Sequence, residues 1–258
     1  MSRATTWDPD LYLDFDDLRS RPFADLVARV GARDPRHVVD AGCGPGHLTP
    51  ALSGRWPGAR VSAFDSSPDM VAAARERGID AVQADVTTWE PAPDVDVVVT
   101  NAVLQWVPGH RDLLRRWTAQ LGRQHSSPTG GWLAMQVPGN FTAPSHELAR
   151  ETADRFGVPL RDAATVAEPA DYADDLTAAG ASAVDVWETT YLQRLAGADP
   201  VLHWISGTAL RPVRDALDDE AYAAFTADLA PRLREAYPAS PDGSTWFPFR
   251  RLFAVART

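Results

Sequence analysis

The chain contains no lysine, a single cysteine and no long apolar run, and each shortage removes a class of protein. One cysteine, Cys43, forbids an internal disulfide and any multi-cysteine zinc site. A membrane-spanning helix needs roughly 20 uninterrupted apolar residues. Here the most apolar run, 95–107, is broken by Asp96, Asn101 and Gln105. The opening MSRATTWDPDLYLDFDD lacks the apolar core of a signal peptide and turns acidic within a few residues. The expectation is a soluble, cytoplasmic protein with no membrane partner. Without lysine, all 25 basic residues are arginine, and against 35 acidic ones they leave a net charge of −10. An acidic surface repels phosphate backbones, which argues against nucleic acid as a partner. An anionic small substrate then needs a local arginine pocket working against the global charge. What is present is an ordinary globular composition, 45% hydrophobic and 23% charged over 258 residues. That length suits one large domain carrying a sizeable insertion.

Short apolar segments alternate with helical ones through the first half, the pattern of a parallel sheet covered on both faces. Strands are expected at 37–41 (HVVDA), 60–65 (RVSAFD), 80–84, 96–101 (DVVVTN) and 132–137 (WLAMQV). The segment 67–78 reads as a punctuated helix, with Ser67 as N-cap, Pro68 at the first helical position and Gly78 past the end. Leu113, Leu114, Trp117 and Leu121 mark one face of a further helix, which Gly122 is expected to end. The segment 122–131 (GRQHSSPTGG) reads as a polar surface loop. Helices over 145–156 and 172–179, a strand over 184–191, two or three helices within 199–236 and a final strand over 249–256 complete the chain. The expected fold is α/β: a doubly wound, mostly parallel sheet of seven strands forming a single domain over 1–258. An N-terminal helical lid (1–35) and a helical cap insertion (194–247) are expected with it.

The segment Asp40-Ala-Gly42-Cys-Gly44-Pro-Gly46 follows a buried strand, and His47-Leu48-Thr49 is expected to open a helix. Glycines let the backbone turn sharply and approach a ligand. The spacing is Gly-x-Gly-x-Gly rather than the Gly-x-Gly-x-x-Gly that seats a pyrophosphate on a helix N-terminus. Asp40 at the mouth of the loop would repel a pyrophosphate and welcome a cationic amino group. Asp65 ends the next strand, placed to grip ribose hydroxyls, and Asp85 follows the third strand, where it suits the amino edge of an adenine. The ligand implied has an adenine, a ribose, a cationic amino acid end and no phosphate. S-adenosyl-L-methionine fits; a nicotinamide dinucleotide fits poorly.

Asp-x-Gly-x-Gly-x-Gly, FDSSPDM and QADVTTW resemble the first three motifs of the class I S-adenosylmethionine-dependent methyltransferases, whose fold is Rossmann-like. WDPDLYLDFDDLRSRPF, VPGNFTAPSH, DVWETTYLQRL and DGSTWFPFRRLF extend the resemblance from Trp7 to Phe253, toward members that esterify a carboxylate of a small tricarboxylic acid. The resemblance implies Asp40, Gly42, Gly44 and Gly46 at the methionine end of the cofactor and Asp65 on the ribose. It implies Ser66 and Met70 beside the adenosine, Asp85 and Val86 around the adenine, and Asn101 and Leu104 flanking the sulfonium. Cys43 reads as a small filler, since no neighbour obviously lowers its pKa.

A carboxylate acceptor is already ionised at neutral pH, with an ordinary pKa of roughly 4, so it needs no general base. Positioning and exclusion of water then carry the rate, and no catalytic side chain is assigned. The six histidines show no metal-ligand pattern, so no metal is expected. Guanidinium forks bind carboxylates bidentately. Arg250 and Arg251 are candidates; on a strand they point to opposite faces, so at most one faces a pocket. Arg21 lies beyond the aromatic segment of Trp7, Tyr12 and Phe15, of which Tyr12 is also a candidate. His146 follows the fifth strand, where ligands collect in open α/β sheets. Two other readings stay open: the same fold and cofactor with another small acid or an acyl-thioester carboxylate as acceptor, or a cofactor-binding protein without catalysis.

Overall fold

The computed structural model describes residues 16–124, 130–160 and 166–258, the side chains of 16–19 and 124 excepted. Tyr12, with Trp7 and Phe15, lies outside the described residues, as do residues 125–129 of the expected 122–131 loop.

Helix α1 (Asp16–Arg29) leads into β1 (His37–Ala41), α2 (Pro50–Arg55), β2 (Arg60–Asp65), α3 (Pro68–Glu76) and β3 (Ala81–Gln83). Then come β4 (Val97–Asn101), α4 (His110–Gln124), β5 (Trp132–Pro138), α5 (Pro144–Arg155), α6 (Pro169–Ala178) and β6 (Ala183–Leu195). Three helices, α7 (Pro200–Ser206), α8 (Arg211–Ala216) and α9 (Asp219–Ala236), precede β7 (Thr245–Arg257).

The seven strands form one sheet in the order β3-β2-β1-β4-β5-β7-β6. Pairs β1–β2, β1–β4, β2–β3 and β4–β5 are parallel, and β5–β7 is antiparallel. From β1 the chain winds outward through β2 and β3, then returns to lay β4 on the other side. That reversal opens a crevice beyond the carboxyl ends of β1 and β4, where ligands collect in open α/β sheets.

Two departures from the expected boundaries have local causes. Helix α4 passes through Gly122 to Gln124, because Gly122 keeps a helical backbone rather than the left-handed turn that ends helices. Helix α2 begins only at Pro50; residues 47–49 form a bend and turn, and the proline takes the first helical position, where it sacrifices no hydrogen bond. At α3 the expected cap is present: the Ser67 hydroxyl accepts from Met70 N–H at 3.4 Å, and Gly78 turns the chain away at φ 81°.

The chain divides into two compact units. The first comprises Arg19–Pro138, Val166–Thr189 and Arg251–Thr258. Strand residues alternate faces. On one face Val39, Val98, Leu133, Met135 and Val137 pack with Leu113, Leu114, Trp117 and Leu121 of α4 and with Tyr172 and Leu176 of α6. Each fully buried leucine there contributes roughly 2 kcal/mol. On the other face Trp187 stacks on Phe253 with centroids 4.7 Å apart, and Arg29 of α1 lies over that indole while pairing with Asp185. The described part of the second unit is 16–18, 139–160 and 190–250. There α5 packs on α9, and Trp204 meets Phe249 edge-on at 5.3 Å.

Between α4 and α6 a buried polar link replaces apolar packing. His110 Nδ1–H donates to Val107 O (3.3 Å), its Nε2 accepts from the Tyr172 hydroxyl (2.8 Å), and that oxygen accepts from Ala167 N–H (3.2 Å). Burial holds the His110 pKa below its ordinary value. Protonation would destroy the acceptor at Nε2, so the link stabilises the fold above the usual imidazole range and weakens as pH falls below it. Tyr172→Phe strands the buried His110 Nε2 and the partly buried Ala167 N–H at once. It should lower unfolding stability in urea by about 1–3 kcal/mol at neutral pH, and a variant as stable as wild type would show the link contributes nothing.

Candidate active site

The loop after β1 is anchored to the end of β2 by its own backbone. Gly42 N–H and Cys43 N–H both donate to Phe64 O, at 2.8 and 3.0 Å, and Gly44 N–H donates to Asp65 Oδ2 at 2.9 Å. Gly46 N–H turns inward to Cys43 O at 3.1 Å. A phosphate-binding loop presents such groups to its ligand; this one spends them on the protein. The other oxygen of Asp65 accepts from Ser67 N–H at 2.9 Å, so one carboxylate ties the glycine loop to the start of α3.

The three glycines serve different ends. All have positive φ, at 80°, 56° and 76° for Gly42, Gly44 and Gly46. A Cβ on Gly42 would lie 2.4 Å from the Val103 side chain, and one on Gly46 would crowd Ala74 and Ile79 at 3.0–3.1 Å. Those two permit close packing. Above Gly44 none of the described residues lies within 4 Å, so among them it is the one of the three glycines that leaves open space over the loop.

Electrostatically the site is acidic. Asp40 is buried, with Thr49 Oγ1 donating to its Oδ2 at 2.7 Å. Burial pushes its carboxyl up to about 6; the Thr49 hydrogen bond opposes the shift and the charge of Asp65 adds to it. Burial also drives the Cys43 thiol far above its ordinary value, and the charges of Asp40 and Asp65 drive it further, so Cys43 is an inert filler. Asp85 is exposed, and its Oδ1 accepts from Thr87 N–H (2.8 Å) and Oγ1–H (2.7 Å), which holds its pKa below the usual carboxylate range. Ser66 is exposed, whereas Met70, Val86 and Leu104 are buried.

At the ends of β4 and β5 the backbone is strained: Ala102 has φ 57°, held by its N–H to Gln136 O (2.9 Å) and by Gln105 Nε2–H to Ala102 O (2.7 Å). The preceding Asn101 has a buried Oδ1 without a partner. Asn101 pairs in register with Gln136, Asp40 with Val99, and Arg251 with Pro138, so Asp40, Asn101, Gln136 and Arg251 share one sheet face. Arg251 is buried, and its Nη1 lies 3.4 Å from Gln136 Oε1. Gln136 escaped the sequence reading; the available signal was one amide within the otherwise apolar WLAMQVP.

The remaining candidates are placed separately. Arg21 is exposed on α1. Arg250 is partly buried, with Nη1 3.5 Å from Gly139 O. His146, near the start of α5, is partly buried, with Nδ1 3.2 Å from Ser145 Oγ and 3.5 Å from Asn140 Nδ2. Burial, with the positive charge of Arg150 added to it, lowers its pKa to about 4. Asn140 Nδ2 can only donate, so Nδ1 accepts and the proton of the neutral ring sits on Nε2. Among the described residues no group of three His, Cys, Asp or Glu could hold a metal, and no helix is long and apolar enough to cross a membrane.

A family model described as a methyltransferase domain matches residues 38–123. The fold resembles that of the YcgJ protein from Bacillus subtilis, with a TM-score of 0.57 at 12% identity over 92% of this chain and 98% of that one. It also resembles phosphoethanolamine N-methyltransferase 2 of Haemonchus contortus in complex with S-adenosyl-L-methionine, with a TM-score of 0.55 at 14% identity over 92% of this chain and 52% of that one. Sheet order, glycine loop and family model thus define a Rossmann-like methyltransferase. A trans-aconitate 2-methyltransferase from Rhodococcus jostii strain RHA1 is 59% identical over 97% of this chain and 99% of its own length. Another, from Mycobacterium sp. strain KMS, is 58% identical over 98% and 99%. The chain belongs to the trans-aconitate 2-methyltransferase family.

The three glycine roles can be separated by mutation. Gly44→Ala should fold with a loss of about 1 kcal/mol, from the left-handed backbone, while filling the open space. Gly46→Ala should lose more stability by its clash with Ala74. Urea unfolding compared with titration of S-adenosyl-L-homocysteine checks both; equal stability losses would merge the two roles.

Proposed function

We propose that this chain binds S-adenosyl-L-methionine in the crevice beyond β1, β2 and β4 and methylates one carboxylate of trans-aconitate, giving a monomethyl ester. The observation that carries the donor assignment is the electrostatic one. The loop's N–H groups are committed to the protein, and the charges of the described residues that shift Asp40 and Cys43 are negative. Such a site suits a cation and rejects a diphosphate. The open space over Gly44 and the orphan Asn101 Oδ1 fit the same donor.

When bound, S-adenosyl-L-methionine would supply an electrophilic methyl carbon on sulfur; a carboxylate oxygen would form a C–O bond to that carbon as the C–S bond breaks, its electron pair leaving with S-adenosyl-L-homocysteine. Asp40, Gly42, Gly44 and Gly46 hold the amino acid end; Asp65 takes the ribose with lone pairs left beyond its two backbone bonds. Ser66 and Met70 flank the adenosine, Asp85 and Val86 the adenine, and Asn101 and Leu104 the sulfur. Tyr12, Arg21, His146 and one of Arg250 and Arg251, which point to opposite faces of β7, bind the acid, His146 as a neutral Nε2–H donor. No residue need remove a proton, because the acceptor is already an anion. The work of the chain is to align two charged partners and keep water out, so that charge neutralised on attack is not already neutralised by solvent. The acceptor follows from the relatives' names, and small-acid specificity from the arginines.

Incubating the protein with labelled donor and citrate, isocitrate, cis- and trans-aconitate and a malonyl thioester tests this directly. Mass spectrometry should find the monomethyl ester of trans-aconitate as the main product; preferential methylation of the thioester would replace the acceptor.

Asp40 gives a second test. Unfolded, it titrates near 3.8, but folded near 6, so ionising it costs the ligand-free protein stability as pH rises through that window. A cationic ligand offsets the cost. S-adenosyl-L-homocysteine should therefore bind more tightly from about pH 5 to pH 7 and change little above. Asp40→Asn should raise the urea midpoint at neutral pH yet weaken that ligand about tenfold; a pH-independent affinity would remove Asp40 from the site.

A further inference from the structure

Gln136 is an amide in a strand whose other side chains, indole nitrogen aside, are apolar, and folding alone gives no reason for it. It is about as buried as a side chain can be, at 1% exposure. Its Oε1 faces Arg251 Nη1, but its Nε2, which carries both donors, is buried without a partner. A buried donor left unmade costs stability, and arginine cannot relieve it. A guanidinium only donates, so it holds the amide oxygen and turns the NH2 group the other way. One strand over, Asn101 leaves an acceptor unpaired on the same face.

These two orphans ask for opposite partners. An acceptor suits an ammonium or other donor; an NH2 group suits an anion. Strand order separates them as well. Asn101 ends β4, the neighbour of β1 with its glycine loop, whereas Gln136 lies one strand further out, beside β7 and Arg251. At roughly 4.8 Å per strand, the donor stands on the side away from the adenosyl ligand's amino acid end.

We propose that Gln136 Nε2–H binds a carboxylate of the acid substrate, with Arg251 as the positioning residue that fixes the amide's orientation. The inference deepens the reading of this chain as a carboxyl methyltransferase and rests on it. The carboxylate held is a spectator, since a hydrogen bond to the attacking oxygen would draw away the electron pair that must reach the methyl carbon. A residue that grips a spectator carboxylate makes this chain select di- and tricarboxylates over monocarboxylates.

Gln136→Glu keeps the shape and the oxygen facing Arg251 while replacing the donor by an anionic oxygen. Its KM for trans-aconitate should rise at least about 30-fold near neutral pH with kcat within about threefold. Calorimetric binding of trans-aconitate to the protein saturated with S-adenosyl-L-homocysteine should weaken in parallel, and affinity for S-adenosyl-L-homocysteine itself should hold. Toward about pH 5.5 the acid's affinity should partly return, because a protonated glutamic acid can donate again. Gln136→Met, similar in volume and without a donor at any pH, should show the weakening and no such recovery. An unchanged KM in both variants overturns the proposal. So does a loss confined to S-adenosyl-L-homocysteine, which would give the amide to that ligand's own carboxylate. A wild-type protein that binds S-adenosyl-L-homocysteine but not trans-aconitate fails before any variant is made and removes the underlying reading of the acceptor.

Discussion

The carboxylate of Asp65 holds two backbone N–H groups 23 residues apart, those of Gly44 and Ser67, each at 2.9 Å. Charge-assisted bonds of this kind are about twice as strong as neutral ones. Together with the two bonds to Phe64 O they fix where the loop after β1 stands relative to the start of α3. Everything else in the crevice inherits that placement: the turn at Gly42 against Val103, the half-buried backbone at Gly44, and the inward-facing Asp40. The same bonds decide the sign of the ligand. A loop whose amides are occupied has nothing to offer a phosphate, and two nearby carboxylates make it attractive to positive charge.

The sheet is asymmetric in a way that separates folding from chemistry. One face is mostly apolar and packs on α4 and α6. The other carries Asp40, Asn101, Gln136 and Arg251 on four strands. Buried polar atoms without partners destabilise a fold, so Asn101 Oδ1 and Gln136 Nε2 mark where stability has been given up for recognition. The strained Ala102 belongs to the same region.

Strand positions were legible because runs such as HVVDA and DVVVTN leave few alternatives, and Ser67-Pro68 announces a helix start by chemistry that acts within one turn. The acidic residues at successive strand ends were legible for the same reason: they follow directly from counting along the chain. What escaped depends on contacts between distant segments. Gly42, Gly44 and Gly46 look equivalent in sequence, yet only Gly44 opens onto space, because Val103, Ala74 and Ile79 fill the rest. The structural duty of Asp65 is invisible without knowing that the backbone of residue 44 returns to it. Gly122 resembled a stop signal, but the glycine stays helical. Gln136 hid inside an apolar strand, where one amide reads as noise until its neighbours on β4 and β7 are known.

The reversed direction of β7 puts the two ends of that strand at opposite poles of the sheet. Arg251 sits beside Pro138, near the crevice, while Thr258 donates its N–H to Gly131 O at 2.9 Å, at the far pole where β5 begins. A linker, affinity handle or surface attachment joined after Thr258 would therefore leave from the base of the sheet, where β5 begins, and the protein could be immobilised by the end opposite the carboxyl ends of β1 and β4.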